Sequence, residues 1–266
     1  MTTIDTLDRP EAPAPVVGGL RHDVRCVFVR ELRPTLRDPT SMLFSLIQPV
    51  VFLGLFGPLL LGSSGAPRAE VLAWFVPGIL VMIALFATSF TGAGLLLEMQ
   101  TGAHERTLVA PLARSSLMVG RALKEMVPLA IQVCVITAVT VPFGFRPNPA
   151  GMAVGLVLIS LFAVGFGALS YTLALVSRER DWLFWTVQQA VLFPLMILSG
   201  MLLPLEDGPT WMQSLARLNP LSYIVAAERQ LFAGDLFGDA VLPGFVAAAV
   251  LCAVGLLLGV RMMRRA

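Results

Sequence analysis

The sequence has one lysine among its 266 residues, two histidines, three cysteines and only 14% charged residues. Each shortage removes a class of function. The lone lysine, Lys124, is followed by Glu125 and is not preceded by glycine, so the phosphate-cradling Walker loop, which ends in Gly-Lys and a hydroxyl residue, is absent. His22 and His104 are too few for an imidazole metal cluster. Cys26, Cys134 and Cys252 are odd in number, widely spaced and form no CxxC, which argues against a disulfide scaffold or a zinc site. The net charge of +2 is far from the basic excess of a nucleic-acid binder. A soluble domain carries about 25% charged residues and under about 50% apolar ones. Here 56% are hydrophobic and the mean hydropathy is +0.80. A globule of this size has too little interior to hide that much apolar surface, and a disordered chain would be poor in aliphatics. An integral membrane protein is what is left.

Six long apolar runs are present, at residues 43–61, 73–97, 126–143, 152–176, 182–203 and 241–260. Each approaches the ~20 residues that cross a ~30 Å hydrocarbon core, and none contains Asp, Glu, Lys or Arg. They do not alternate as barrel strands would. The expected fold is therefore an all-α integral membrane protein with six transmembrane helices, filling residues 18–266. Fifteen of the 19 basic residues fall in the two termini and the connections on their side, so the positive-inside rule places both termini in the cytoplasm. Trp74, Trp182, Trp185 and Trp211 lie at or just beyond span ends, where amphipathic rings favour the interface. The first forty residues lack a long apolar run, so the first span is expected to act as an uncleaved signal anchor. Residues 1–17, with Pro10, Pro13 and Pro15, read as a disordered start.

Three connections carry more than linker chemistry. Over residues 19–36, Leu20, Val24, Val27, Phe28 and Leu32 recur at helical spacing with Arg21, Arg25 and Arg30 between them. This pattern is a basic amphipathic helix lying in the interface, its arginines toward lipid phosphates, with Pro34 ending or kinking it. In the loop 98–124, Glu98, Glu105, Arg106 and Arg114 rim an apolar patch of Leu108, Val109 and Leu112. That composition suits a docking surface; an ordinary solvated loop is the plainer alternative. The connection 204–240 is too apolar for a free loop, and Asn219-Pro220 divides it into two short helices. These are expected to re-enter the outer leaflet before the last span.

Catalytic patterns fail one by one. His104-Glu105 opens like a HExxH zinc helix, but Leu108 stands where the second histidine belongs. Gly62-Ser63-Ser64-Gly65 is a turn rather than a nucleophile elbow. No span holds two carboxylates, so the chain is read as non-enzymatic, with no catalytic residue and no metal site. The absence of ionisable residues from the six runs also speaks against ion-coupled transport. Neutral polar residues in spans most often make interhelical hydrogen bonds. Gln48, Thr88, Gln188 and Gln189 are candidates to line a pathway, because a lipid-facing amide is costly. Met82, Phe86, Phe90, Phe193 and Met196 would give such a pathway an apolar wall, although core packing accounts for them equally well. Glycines spaced four apart, Gly151 with Gly155 and Gly255 with Gly259, let helix backbones approach closely.

Three stretches resemble the type-2 ABC (ATP-binding-cassette) exporter permeases, in particular their daunorubicin-resistance-like drug-efflux subfamily. The first is Leu36-Arg37-Asp38-Pro39, followed by Gln48-Pro49. The second is Thr107, Leu108, Pro111, Arg114, Gly120 and Arg121, with Arg106 standing where the family usually has glycine. The third runs from Leu198-Ser199-Gly200 to Pro204, then Trp211, Leu218-Asn219-Pro220-Leu221-Ser222-Tyr223 and Arg229. The resemblance implies a homodimer of twelve spans in the cytoplasmic (inner) membrane of a bacterium. Each copy would dock on a separate nucleotide-binding ATPase subunit that binds the ATP and Mg; this chain would bind no cofactor itself. The stretch 98–121 would be the coupling loop, with Glu98, Glu105, Arg106, Thr107, Leu108, Pro111, Arg114 and Arg121 carrying force to the ATPase. The helix over 19–36 would be the interface helix beside it. Asn219, Pro220, Tyr223, Glu228 and Arg229 would shape the outer re-entrant region. The implied cargo is a hydrophobic drug-like or lipid-like molecule. An exporter of polysaccharide or lipid-linked glycan is the alternative on the same architecture, and a non-transporting assembly or sensor protein is the alternative of another class.

Overall fold

The computed structural model describes residues 19–103, 114–205 and 208–265; the expected disordered start lies outside them. Among the described residues every regular element is helical. In chain order these are α1 (Leu20–Arg37), α2 (Pro39–Ser64), α3 (Arg68–Ser89), α4 (Thr91–Gln100), α5 (Arg114–Lys124), α6 (Met126–Thr140), α7 (Pro149–Val176), α8 (Asp181–Ile197), α9 (Thr210–Ala216), α10 (Pro220–Ala233) and α11 (Val241–Arg265). A 3-10 turn at Val141–Phe143 closes α6.

Five helical stretches are long and apolar enough to cross a membrane: Met42–Gly62, Arg68–Gln100, Arg114–Phe143, Pro149–Val176 and Val241–Arg264. The fifth apolar run of the sequence, expected to span 182–203, is helical only from Asp181 to Ile197. Seventeen residues give about 25 Å of helix, short of the ~30 Å core. Pro194 lies inside its last turn and Gly200, at φ +70°, turns the chain just beyond it. Two stretches are longer than expected. Residues 98–124 do not form one loop: α4 continues through Gln100, and α5 runs from Arg114 almost directly into α6. The resulting stretch of 30 residues is about 45 Å long, so its charged first third extends beyond a hydrocarbon core. Pro34 does not end α1, which continues to Arg37.

The core is built around α3 and α7. α3 is apolar all round, and most of it is buried, from Val71 through Leu85; this is the position such a helix requires. It packs on α2, α6, α7, α8 and α10. α7 crosses α11 over a long contact, where both helices carry glycine. A β-carbon built on Gly255 would overlap the carbonyl oxygen of Gly165, and one on Gly165 would overlap the backbone of Cys252. At the other end of α7, a β-carbon on Gly151 would overlap the Leu231 carbonyl of α10. By contrast, the outer faces of α2 and α11 carry exposed Leu43, Phe44, Leu55, Leu59, Leu242 and Leu257, apolar surface that only lipid or protein can cover.

Candidate functional site

Three places in the fold gather the residues singled out by the sequence. The first joins α1, α4 and α5. Gly120 on α5 has no side chain, and Val27 of α1 fills the space where a β-carbon would stand. The next residue, Arg121, is 2% exposed and points into the same seam. Its Nη2 donates to Glu98 Oε2 on α4 at 2.5 Å. Its Nε lies 3.4 Å from Glu31 Oε1 on α1, within ion-pair distance although not aligned as a hydrogen bond. Lys124 extends the chain of charge, with Nζ 3.9 Å from Glu31 Oε2 and 3.8 Å from Glu125 Oε1. Tyr171 on α7 donates its hydroxyl to the same Glu125 oxygen at 3.1 Å. A buried arginine requires such partners, because desolvation of an unpaired charge costs several kcal/mol. Glu98 and Arg121 are thus paired with each other inside the fold. Arg114, exposed at the start of α5, reaches the Arg264 carbonyl of α11 at 3.4 Å. Glu105, Arg106, Thr107, Leu108 and Pro111 lie outside the described residues.

The second place is a cavity of about 530 Å³ where α1 turns into α2, walled by α3 and α6. Pro34, Thr35 and Asp38 form its rim; Ser45, Gln48, Glu125 and Gln132 give it polar groups; Met82, Phe86 and Phe90 form an apolar wall. The volume falls in the range of sites for small molecules. Phe86 and Phe90 stack with centroids 6.5 Å apart, and Phe90 meets Trp185 of α8 at 6.0 Å. Of the polar pathway candidates the cavity takes in Gln48, and of the apolar ones Met82, Phe86 and Phe90. Thr88 is buried and donates to the Ala84 carbonyl at 2.6 Å. Gln188 donates to the carbonyl of Ser89, where α3 stops and α4 begins; Ser170 of α7 donates to the same carbonyl at 2.6 Å. Its amide therefore binds backbone at a helix break. Gln189, the next residue on α8, is exposed.

The third place is the region after α8. Asn219 caps α10, its Oδ1 accepting from Leu221 N at 3.0 Å, while its Nδ2 donates to the Leu195 carbonyl of α8 at 2.8 Å. Pro220 occupies the first helical position, where its missing N–H leaves no gap. Tyr223 donates to the Arg217 carbonyl at 2.8 Å. Arg229 ties three segments: Nε donates to Trp74 O at 3.0 Å, Nη2 to Gly200 O at 2.8 Å, and the guanidinium lies 3.9 Å from the Trp74 ring centre. Glu228 is fully buried against Gly155 and Phe232, and neither carboxyl oxygen has a partner. Burial pushes its carboxyl up to about 8.

Sequence reasoning missed Glu31, Glu125, Tyr171, Ser45 and Gln132 as members of these places. A signal for Glu31 existed: Asp23, Val27 and Glu31 recur every four residues on a helix whose other charges are mostly arginine, marking a face turned inward. No comparable spacing announces Tyr171, which meets Glu125 from 46 residues away.

A family model described as ABC-2 type transporter matches residues 22–233. The daunorubicin resistance ABC transporter permease protein DrrB1 of Streptomyces coeruleorubidus is 25% identical over 235 residues, covering 88% of this chain and 81% of that protein. The putative transport permease ycf38 of Cyanophora paradoxa is 31% identical over 208 residues, covering 74% and 69%. The probable doxorubicin resistance ABC transporter permease protein DrrC of Mycobacterium tuberculosis is 26% identical over 239 residues, covering 85% and 83%.

Proposed function

Because the chain belongs to the ABC-2 type transporter family, we propose that it is the membrane-spanning subunit of an ATP-driven exporter. Its cargo is a hydrophobic drug-like or lipid-like molecule, carried outward across the cytoplasmic membrane of a bacterium. A separate nucleotide-binding subunit holds the ATP and Mg, in keeping with the missing Walker lysine. The names of the relatives from Streptomyces and Mycobacterium, which refer to drug resistance, support the class of cargo.

One observation carries the mechanism. Arg121 joins α1 to both helices that flank residues 104–113, through Glu31 on α1 and Glu98 on α4. The far end of α1, at Pro34 and Thr35, is the rim of the cavity. A push on the 98–121 segment by a closing ATPase is therefore transmitted through a buried ion pair to α1, and along α1 to the cavity mouth. Packed side chains of this kind move as a body rather than deforming. Two copies complete the path: Gln48 on α2 and Gln189 on α8 are exposed amides in the isolated chain, and burying them against a second copy relieves the cost of facing lipid. On this reading α8 is a sixth span, both termini are cytoplasmic, and α9 with α10 form the outer re-entrant pair.

The test is co-purification with candidate ATPase subunits from the same genome, followed by vanadate-sensitive ATP hydrolysis. A stable, active complex is expected. Reversing charge at Glu105 and Arg114 together is expected to lower ATPase capture at least fivefold while membrane insertion is unchanged. Normal capture by that double variant removes the coupling assignment, and the absence of any ATPase partner favours a non-transporting protein.

A further inference from the structure

One face of α11 packs on α7, and the opposite face is bare. Leu242, Val246, Val250, Val254 and Leu257 are exposed along it, and Arg261 and Arg264, also exposed, continue the same spacing of three or four residues. Counted from Val241, about 30 Å of helix is used up near Arg261, so both arginines stand where the hydrocarbon ends. A third comes from α5. Met118 of α5 lies against Gly259 of α11, which sets Arg114 beside the last turn of α11, its Nη1 donating to the Arg264 carbonyl at 3.4 Å. Leu256, Leu257, Leu258 and Val260 line one open groove with Arg261 and Arg264, and no acid stands among its described lining residues. Among the described residues none of the three guanidinium groups is in an ion pair with a carboxylate, whereas Arg121, two turns along α5 from Arg114, has two such partners.

We infer that this end of α11 is a binding site for an anionic phospholipid, its phosphate held by Arg114, Arg261 and Arg264 and an acyl chain laid along Val254 and Leu257. A guanidinium presents its N–H donors to phosphate in pairs, and three of them without carboxylates leave that capacity open. The apolar stripe runs the length of a span, so hydrocarbon is the phase it faces. The cations at its foot select negatively charged headgroups from the lipids around it. A lipid bound here bridges the end of α11 to the first residue of α5. That it thereby steadies the segment that meets the ATPase rests on the exporter reading; that it binds does not.

The test places a fluorescent reporter on the stripe. The full chain, with the exposed Cys26 and Cys134 replaced by serine and the buried Cys252 kept, carries bimane at Leu257→Cys or, at the other end of the same stripe, at Leu242→Cys. Each is placed without an ATPase in phosphatidylcholine nanodiscs that contain a minor, equal fraction of chain-brominated phosphatidylglycerol or chain-brominated phosphatidylcholine, whose bromines quench bimane on contact. At position 257 the brominated phosphatidylglycerol is expected to quench at least threefold more than the brominated phosphatidylcholine, and at position 242 the two are expected to quench alike. Arg261→Gln with Arg264→Gln is expected to abolish the preference at 257, and Arg114→Gln to lower it at least twofold. All three arginines are exposed, so the substitutions leave the packed core untouched. Equal quenching by the two lipids at 257, the same preference at both positions, or a preference that either set of substitutions leaves unchanged overturns the proposal. Failure of every ATPase to bind, with the lipid preference intact, would break the exporter reading alone; equal quenching with an ATPase captured would break this one alone.

Discussion

Arg121 and Glu228 show how differently two buried charges can be accommodated. Arg121 has a carboxylate on either side, so removing it leaves Glu31 facing only Lys124 and leaves Glu98 without its partner. Arg121→Ala is expected to destabilise the chain by about 3 kcal/mol, read as a lowered unfolding midpoint in detergent. Arg121→Lys should recover little of that loss, since one ammonium cannot present the guanidinium's fork to two acids. If the alanine variant unfolds with wild type, packing such as that of Val27 on Gly120, rather than the ion pairs, holds the seam between α1 and α5. Glu228 has no such partner, and its raised pKa reflects burial. The sign follows from proton binding: between the ordinary carboxyl value near 4.5 and about 8, the folded chain holds the proton more tightly than the unfolded one. Stability is therefore full below pH 4.5 and falls as pH rises toward 8, by about 1.4 kcal/mol per pH unit at most. Midpoints measured from pH 5 to pH 8 should fall for wild type and fall less for Glu228→Gln, with the variant the more stable at pH 8. Parallel profiles would show that the carboxyl is not held neutral.

Among the helices, close approach divides glycines that look alike in the sequence. Gly57 on α2 and Gly255 on α11 both sit in apolar runs, yet a β-carbon at Gly57 meets nothing within 4 Å, whereas one at Gly255 meets the Gly165 backbone. Gly255→Ala is expected to cost about 1–3 kcal/mol, because backbone cannot move aside as a flexible side chain can. Gly57→Ala should be neutral or slightly stabilising, since alanine is the better helix former. Equal effects in unfolding would mean that α7 and α11 do not cross here. The spacing of Gly255 and Gly259 was legible in the sequence as a packing signal; that Gly165 and Met118 lie opposite them was not. The same limit applies to Gln188. Its polarity in an apolar run marked it as costly to expose, but only the break between α3 and α4 supplies the Ser89 carbonyl that it binds. The division of residues 204–240 into two short helices was readable, because Asn219 and Pro220 act locally: one caps, the other starts α10.

Across the whole molecule, the ion pairs of Arg121 and Lys124 lie at one end of the bundle with the cavity beside them, while Glu228 is buried toward the other end of α7. The link runs from the ends of the 104–113 segment through Arg121 to α1 and on to Asp38. The double reversal at Glu105 and Arg114 is a test at this scale: on the exporter reading it should separate the ATPase from this chain while leaving helical content unchanged by circular dichroism, because Arg114 is exposed at the start of α5 and takes no part in the ion pairs of Arg121. The sequence by itself determined that the protein is helical, that it sits in a membrane and which runs are apolar, since composition and run length decide those against water and lipid directly. It did not determine which apolar helix is central. α2 and α3 read alike, yet in the most apolar 18 residues of each stretch 11% are buried in Met42–Gly62 and 78% in Arg68–Gln100. Nor could it pair Arg121 with Glu31 or open a cavity between α2 and α6. Those outcomes depend on which faces of different helices meet, and that is decided by fit between distant surfaces rather than by any local preference of the chain.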